Sequence, residues 1–138
     1  MVLMGFKGMF VNLPIKDLGK TMEFFGKLGF EFNPYFTDEN ATCMVIGENM
    51  YAMLLVEEYF KTFTKKEIAD NTTASEVLTA LAVDSKEVVD DMASKVKEAG
   101  GILDYEPKNN GPMYGISFHD LDGHQCELFY MDESAIPQ

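Results

Sequence analysis

The chain has 138 residues, of which 46% are hydrophobic and 25% charged, an ordinary globular composition that leaves no room for long disorder. Its 11 basic and 23 acidic residues give a net charge of −12, a field that repels phosphate backbones and anionic membrane surfaces. Nucleic acid and membranes are therefore not expected partners, and no apolar run reaches the ~18–20 residues of a membrane span.

A domain of this length buries about two thirds of its unfolded surface and needs no covalent staple. Cys43 and Cys126 both sit in apolar runs and read as core packing. With no leader of basic start, apolar middle and small-residue cleavage site, a reducing, cytoplasmic compartment is expected. The acidic surface either serves solubility alone or also favours a cationic ligand.

The run from Gly8 to Ile15 is rich in β-formers and reads as a strand. Asp17 is a good N-cap for a helix carrying Leu18, Met22, Phe25 and Leu28 at helical spacing, and Gly29 supplies its stop. Three strands are expected next, at Phe30 to Thr37, Ala41 to Ile46 and Met50 to Val56, separated by Asp38-Glu39-Asn40 and Gly47-Glu48-Asn49. The connection 57–75 reads as a linker or a lid arm, with Thr64-Lys65-Lys66-Glu67 able to cap a short helical turn.

The order then begins again. Glu76 to Val83 reads as a strand, Asp84 with Glu87 as an approximate capping box, and Val88, Met92, Val96 and Ala99 as the buried stripe of a helix stopped by Gly100-Gly101. Strands fit Ile102 to Glu106, Met113 to His119 and His124 to Met131, with Asn109-Asn110-Gly111 and Asp120-Leu121-Asp122-Gly123 as turns. The expected architecture is one α+β domain over 1–138, built from two βαβββ modules, 8–56 and 76–131, each a curved mixed sheet with one helix.

This double order, opened by MFVNLPIKDLGKTMEFFGKLGF and closed by FHDLDGHQCELFYMD, resembles the vicinal-oxygen-chelate superfamily of glyoxalases, bleomycin-resistance proteins and extradiol dioxygenases. The resemblance spans Met9 to Asp132, and the D-x-D-G-H-x-x-E run at Asp120 to Glu127 is its most specific part. It implies two modules enclosing a cup-shaped site. Metal-dependent members hold a divalent ion with one side chain from each of the first, fourth, fifth and last inner strands. Here those positions fall at Phe10, about Met53, about Leu78 and Glu127, so one ligand of that set survives. No metal and no cofactor are expected.

What the resemblance leaves is a small-molecule cup lined by Phe10, Asn12, Met53, Leu78, Gln125, Glu127 and Phe129, for a cationic or aromatic ligand. Asn12 either orients that ligand or serves a local backbone contact. His119 and His124 flank the last turn, and alternation along the strand sets His124 and Glu127 on opposite faces, which argues against a His-His-Glu cluster. Glu127 is the only catalytic candidate. Desolvation on a central strand is expected to raise its pKa and suit it to general-base work or a cationic ligand, or else it accepts from a structural tyrosine such as Tyr114 or Tyr130. Three functions remain open: a bleomycin-resistance-like binding protein, a metal-dependent lyase, isomerase or dioxygenase of the glyoxalase I type, and a non-catalytic dimeric scaffold. A homodimer is expected, because Tyr59, Phe60 and Phe63 form an apolar cluster on the connection.

Overall fold

A computed structural model describes residues 5–135. The fold is α+β, with two mixed sheets of four and five strands. The chain divides into two compact units, Met1–Ile68 and Ala69–Gln138. Among the described residues, no helix is long and apolar enough to cross a membrane.

In the first unit, β1 (Met9–Ile15) leads to helix α1 (Leu18–Lys27). The Asp17 carboxylate accepts the Lys20 N–H at 3.0 Å, meeting a donor that the first helical turn leaves open. Gly29, with φ at 102°, takes the left-handed conformation that ends the helix. β2 (Glu31–Asn33) stops short of the expected Thr37. The Asn33 side chain accepts the Tyr35 N–H, and with Pro34 this starts a 3-10 turn over Pro34–Phe36.

β3 (Ala41–Gly47) and β4 (Met50–Val56) complete a sheet of order β1-β4-β3-β2, with β1 and β4 parallel. The register sets Ile15, Ala52, Leu54 and Met44 on one face, where they are buried, as are Phe24 and Phe25 of α1 and Leu28 at its C-cap. α2 (Glu57–Phe60) and a 3-10 turn at Lys61–Phe63 follow β4. The expected helical turn at Thr64 does not form, because the Thr64 hydroxyl accepts the Lys66 N–H in a local turn instead.

The second unit contains β5 (Thr79–Ala82), α3 (Lys86–Glu98), β6 (Ile102–Leu103), β7 (Lys108–Asn110), β8 (Met113–His119) and β9 (Gln125–Met131). Their order is β5-β9-β8-β6, with β7 also paired to β8. Ser85, not Asp84, caps α3, its hydroxyl accepting the Val88 N–H. The buried stripe correspondingly runs through Val89, Ala93 and Val96, leaving Val88 39% exposed. Ile116, Phe118 and Leu128 are buried on the face of the sheet that α3 covers.

The expected strand from Ile102 to Glu106 is broken. Leu103 pairs with Phe118 and Lys108 with Gly115, so four residues, 104–107, stand opposite two on β8. Pro107 has no N–H for the ladder, and the surplus residues bulge out of register. Asn109 and Asn110, expected in a turn, belong to β7. The bulge also carries the side chains of Asp104 and Tyr105 that shape the site.

Candidate functional site

The hairpin β8–β9 builds the site. Its turn is fastened by the Asp120 carboxylate, which accepts the backbone N–H groups of Asp122 at 2.9 Å and His124 at 2.8 Å. Gly123, at φ 87°, completes the turn, and a Cβ there would meet the Asn71 carbonyl oxygen at 2.7 Å. The register then pairs His119 with Gln125, Ser117 with Glu127 and Gly115 with Phe129, all on the face opposite α3. Parallel β5 adds Ala80 beside Glu127 and Ala82 beside Phe129.

A pocket of about 180 Å³ opens on this face, bordered by Glu127, Phe129, Tyr105, Lys108, Asn110 and Met113 over a floor of Ala80 and Gly115. The floor is low because its residues are small. A Cβ on Gly115 would meet the Leu128 carbonyl oxygen at 2.4 Å, so glycine permits the two strands to approach there. Among the described residues, the half-buried Glu127 carboxylate has no hydrogen bond or ion pair. Lys108 stands across the pocket with its ammonium 4.0 Å from the centre of the Tyr105 ring. Burial raises the Tyr105 hydroxyl pKa, and the charges of Glu127 and Asp104 add to the rise.

A hydrogen-bonded cluster lies along the same face. The Ser117 hydroxyl donates to Asp104 at 2.8 Å, Gln125 Nε2 donates to Ser117 Oγ at 2.8 Å, and His119 Nε2 lies 2.9 Å from Asp104 Oδ1. This arrangement is not that of an activated serine, since histidine and serine both address the carboxylate rather than each other. On the opposite side of β9, burial with Asp120 and Glu127 nearby pushes the Cys126 thiol up to about 12, so it carries little thiolate at neutral pH.

The predicted residues fall into two groups. Glu127 and Phe129 line the pocket, whereas Gln125 is on the same strand face with its amide engaged by Ser117. Leu78 lies before the start of β5, and Ala80 takes the position beside Glu127. In the first unit, Phe10, Asn12 and Met53 share a sheet face, with Phe10 stacked on Tyr51 at 4.6 Å. The Asn12 amide donates to the Phe10 carbonyl at 3.2 Å. The tyrosine partners expected for Glu127 lie elsewhere: Tyr114 donates to Asp90 of α3 at 2.5 Å, and Tyr130 pairs with Tyr114. Asp104, Tyr105, Lys108 and Ser117 were missed. Hairpin register alone would have found Ser117 opposite Glu127, but no sequence signal marked the bulge.

The divalent site of metal-dependent relatives does not fit these donors. In the first unit β1 offers Phe10 and β4 Met53, and in the second β5 offers Ala80 and β9 Glu127, so of these four positions Glu127 alone carries a carboxylate, and one carboxylate does not hold a divalent ion. Among the described residues, no three of His, Cys, Asp and Glu gather in a group able to hold a metal.

Comparison with known proteins agrees with this fold. The bleomycin resistance protein-like N-terminal family matches residues 7–47. A hypothetical protein from S. aureus is 32% identical, with 91% of this chain and 94% of that chain covered and a TM-score of 0.78. A glyoxalase/bleomycin resistance protein/dioxygenase family enzyme from Burkholderia phytofirmans is 17% identical over 89% of this chain and 97% of its own, with a TM-score of 0.74. A glyoxalase/bleomycin resistance protein/dioxygenase from Nocardioides is 18% identical over 100% and 91%, with a TM-score of 0.75. No curated protein matches significantly. The chain is thus similar to the bleomycin resistance protein-like N-terminal family over residues 7–47 and shares the fold of the glyoxalase/bleomycin resistance protein/dioxygenase structures.

Proposed function

We propose that the protein binds a small molecule on the open face of its second unit, with the apolar part of the ligand against Phe129 and Met113 and a polar or cationic group at Glu127. The observation that carries this reading is the Glu127 carboxylate, which borders a pocket and has no hydrogen bond or ion pair among the described residues. Leaving a half-buried charge unpaired costs stability, and a complementary ligand group would recover it. The test is a panel of cationic, neutral and anionic aromatic fragments followed by melting temperature and backbone amide NMR. Cationic fragments should raise the melting temperature and shift the Gly115 and Phe129 amides. Hits that consistently map elsewhere, or none at all, would retire the reading.

The same reading excludes a resident divalent ion, because the donor set supplies one carboxylate where several ligands are needed. Purified protein is expected to carry no stoichiometric Zn, Ni, Mn or Fe, and chelator should leave its melting temperature unchanged. About one ion per chain retained through dialysis would instead favour metal-dependent chemistry.

The protein is also proposed to be a homodimer. Tyr59 and Phe63 pack edge to face at 5.1 Å, yet Phe63 remains 66% exposed, and such an apolar cluster is stabilised by cover. Light scattering at micromolar concentration should give twice the chain mass of 15.5 kDa, and a monomer mass would remove the claim.

A further inference from the structure

The geometry points to an alkylammonium subsite on the face of Tyr105, for which the protein's own Lys108 is a tethered and displaceable occupant. This rests on the proposed binding pocket and names the class of ligand group it takes.

An ammonium already occupies the ring. Lys108 Nζ stands 4.0 Å from the Tyr105 centroid, well inside the ~6 Å reach of a cation–π contact. Both residues border the pocket together with Glu127. Glu127 and Asp104 are close enough to Tyr105 for their charges to disfavour its ionised hydroxyl, so the ring lies in a negative field that attracts cations. No anionic side chain holds the Lys108 ammonium among the described residues, and the side chain is exposed on a flexible stem. It can therefore swing into solvent at the cost of one weak contact. A ligand ammonium that displaced it would gain the ring and the unpaired Glu127 together, with its organic portion directed towards Phe129 and Met113.

Lys108 would then act as a competitor, which makes a prediction of opposite sign from an anion-binding lysine. The probe pair is choline and its uncharged shape match 3,3-dimethylbutanol, titrated against the full chain and followed at the Gly115 and Phe129 amides. Choline should bind about tenfold more tightly than the alcohol, the range of one partly desolvated cation–π contact. Lys108→Met keeps the stem and removes the charge, and should strengthen choline binding several-fold. Tyr105→Leu and Glu127→Gln should each weaken it.

Equal binding of choline and the alcohol would overturn the ammonium assignment while leaving the pocket reading standing. Choline binding that is unchanged or weaker in Lys108→Met would overturn the competitor role. No choline-induced shift in either wild type or Lys108→Met would overturn the proposal, whatever else the pocket holds.

Discussion

Asp120→Ala is expected to destabilise the protein by about 2–4 kcal/mol, because two part-buried backbone donors lose their acceptor at once. The Asp120 carboxylate takes the N–H groups of Asp122 and His124, and those bonds define the turn from which β9 starts. Alanine leaves both donors unmet, and water reaches them poorly in a turn whose residue 120 is 7% exposed. The start of β9 should fray first, so amide exchange should accelerate at Gln125 and Cys126 before the rest of the strand. A denaturant midpoint for Asp120→Ala equal to wild type would show that the turn holds without this acceptor.

Asp120→Asn separates acceptor from charge. Its amide oxygen can still receive both donors, but the variant carries no ionisable group. In the folded protein Asp120 is raised above its ordinary 3.8, mainly by burial and partly by Asp122, against the opposing effects of His124 and the backbone donors. The native state thus binds this proton more tightly than the unfolded chain does. Its contribution to stability is fully present below the unfolded value and is lost as pH rises through the folded one. As pH rises from the ordinary 3.8 through the raised folded value, the asparagine variant should therefore gain stability relative to wild type. A constant difference across that window would show that the carboxylate titrates normally.

The elements most legible in the sequence were those with two agreeing local signals. For α1, Asp17 and Gly29 bracketed a periodic run, and the helix forms between them. β4 matches its expected bounds because turn residues stand before it and the β-rich run from Met50 to Val56 fills its length. Where two neighbours could do one job, the choice failed: Asp84 and Ser85 are both good caps, and tertiary burial of Val89 rather than Val88 decided for Ser85.

The site was harder to read because it depends on register between segments and on a defect in one of them. Glu127 was marked by the family resemblance and Phe129 shares its strand face by alternation, but Tyr105 and Lys108 reach the pocket through the bulge at 104–107. Propensity favoured a continuous strand over Ile102 to Glu106, and the single proline gave no measure of how many residues would be extruded. Leu78 was misplaced because the run from Glu76 to Val83 looks uniformly β-forming, although only Thr79–Ala82 pairs with β9. Pairing with a partner strand, rather than local propensity, sets where a short parallel strand begins.

Glu127→Gln is expected to weaken a cationic ligand by about 1.5–3 kcal/mol, roughly 10- to 150-fold, while leaving stability near that of wild type. The substitution keeps shape and hydrogen-bonding reach and removes only charge. A structural carboxylate would behave differently, since its loss would strand a buried donor. The tyrosines expected to serve as that donor are committed to the α3 side of the sheet, where Tyr114 donates to Asp90. The mutation should also have a signature that needs no ligand. Glu127 is one of the two carboxylates raising the Tyr105 hydroxyl, so removing its charge should lower the pH at which Tyr105 ionises. Denaturant midpoint, fragment affinity and the Tyr105 titration, measured on the same two proteins, distinguish the possibilities. A clear loss of stability with affinity unchanged would make Glu127 structural and move the search for the ligand away from this face.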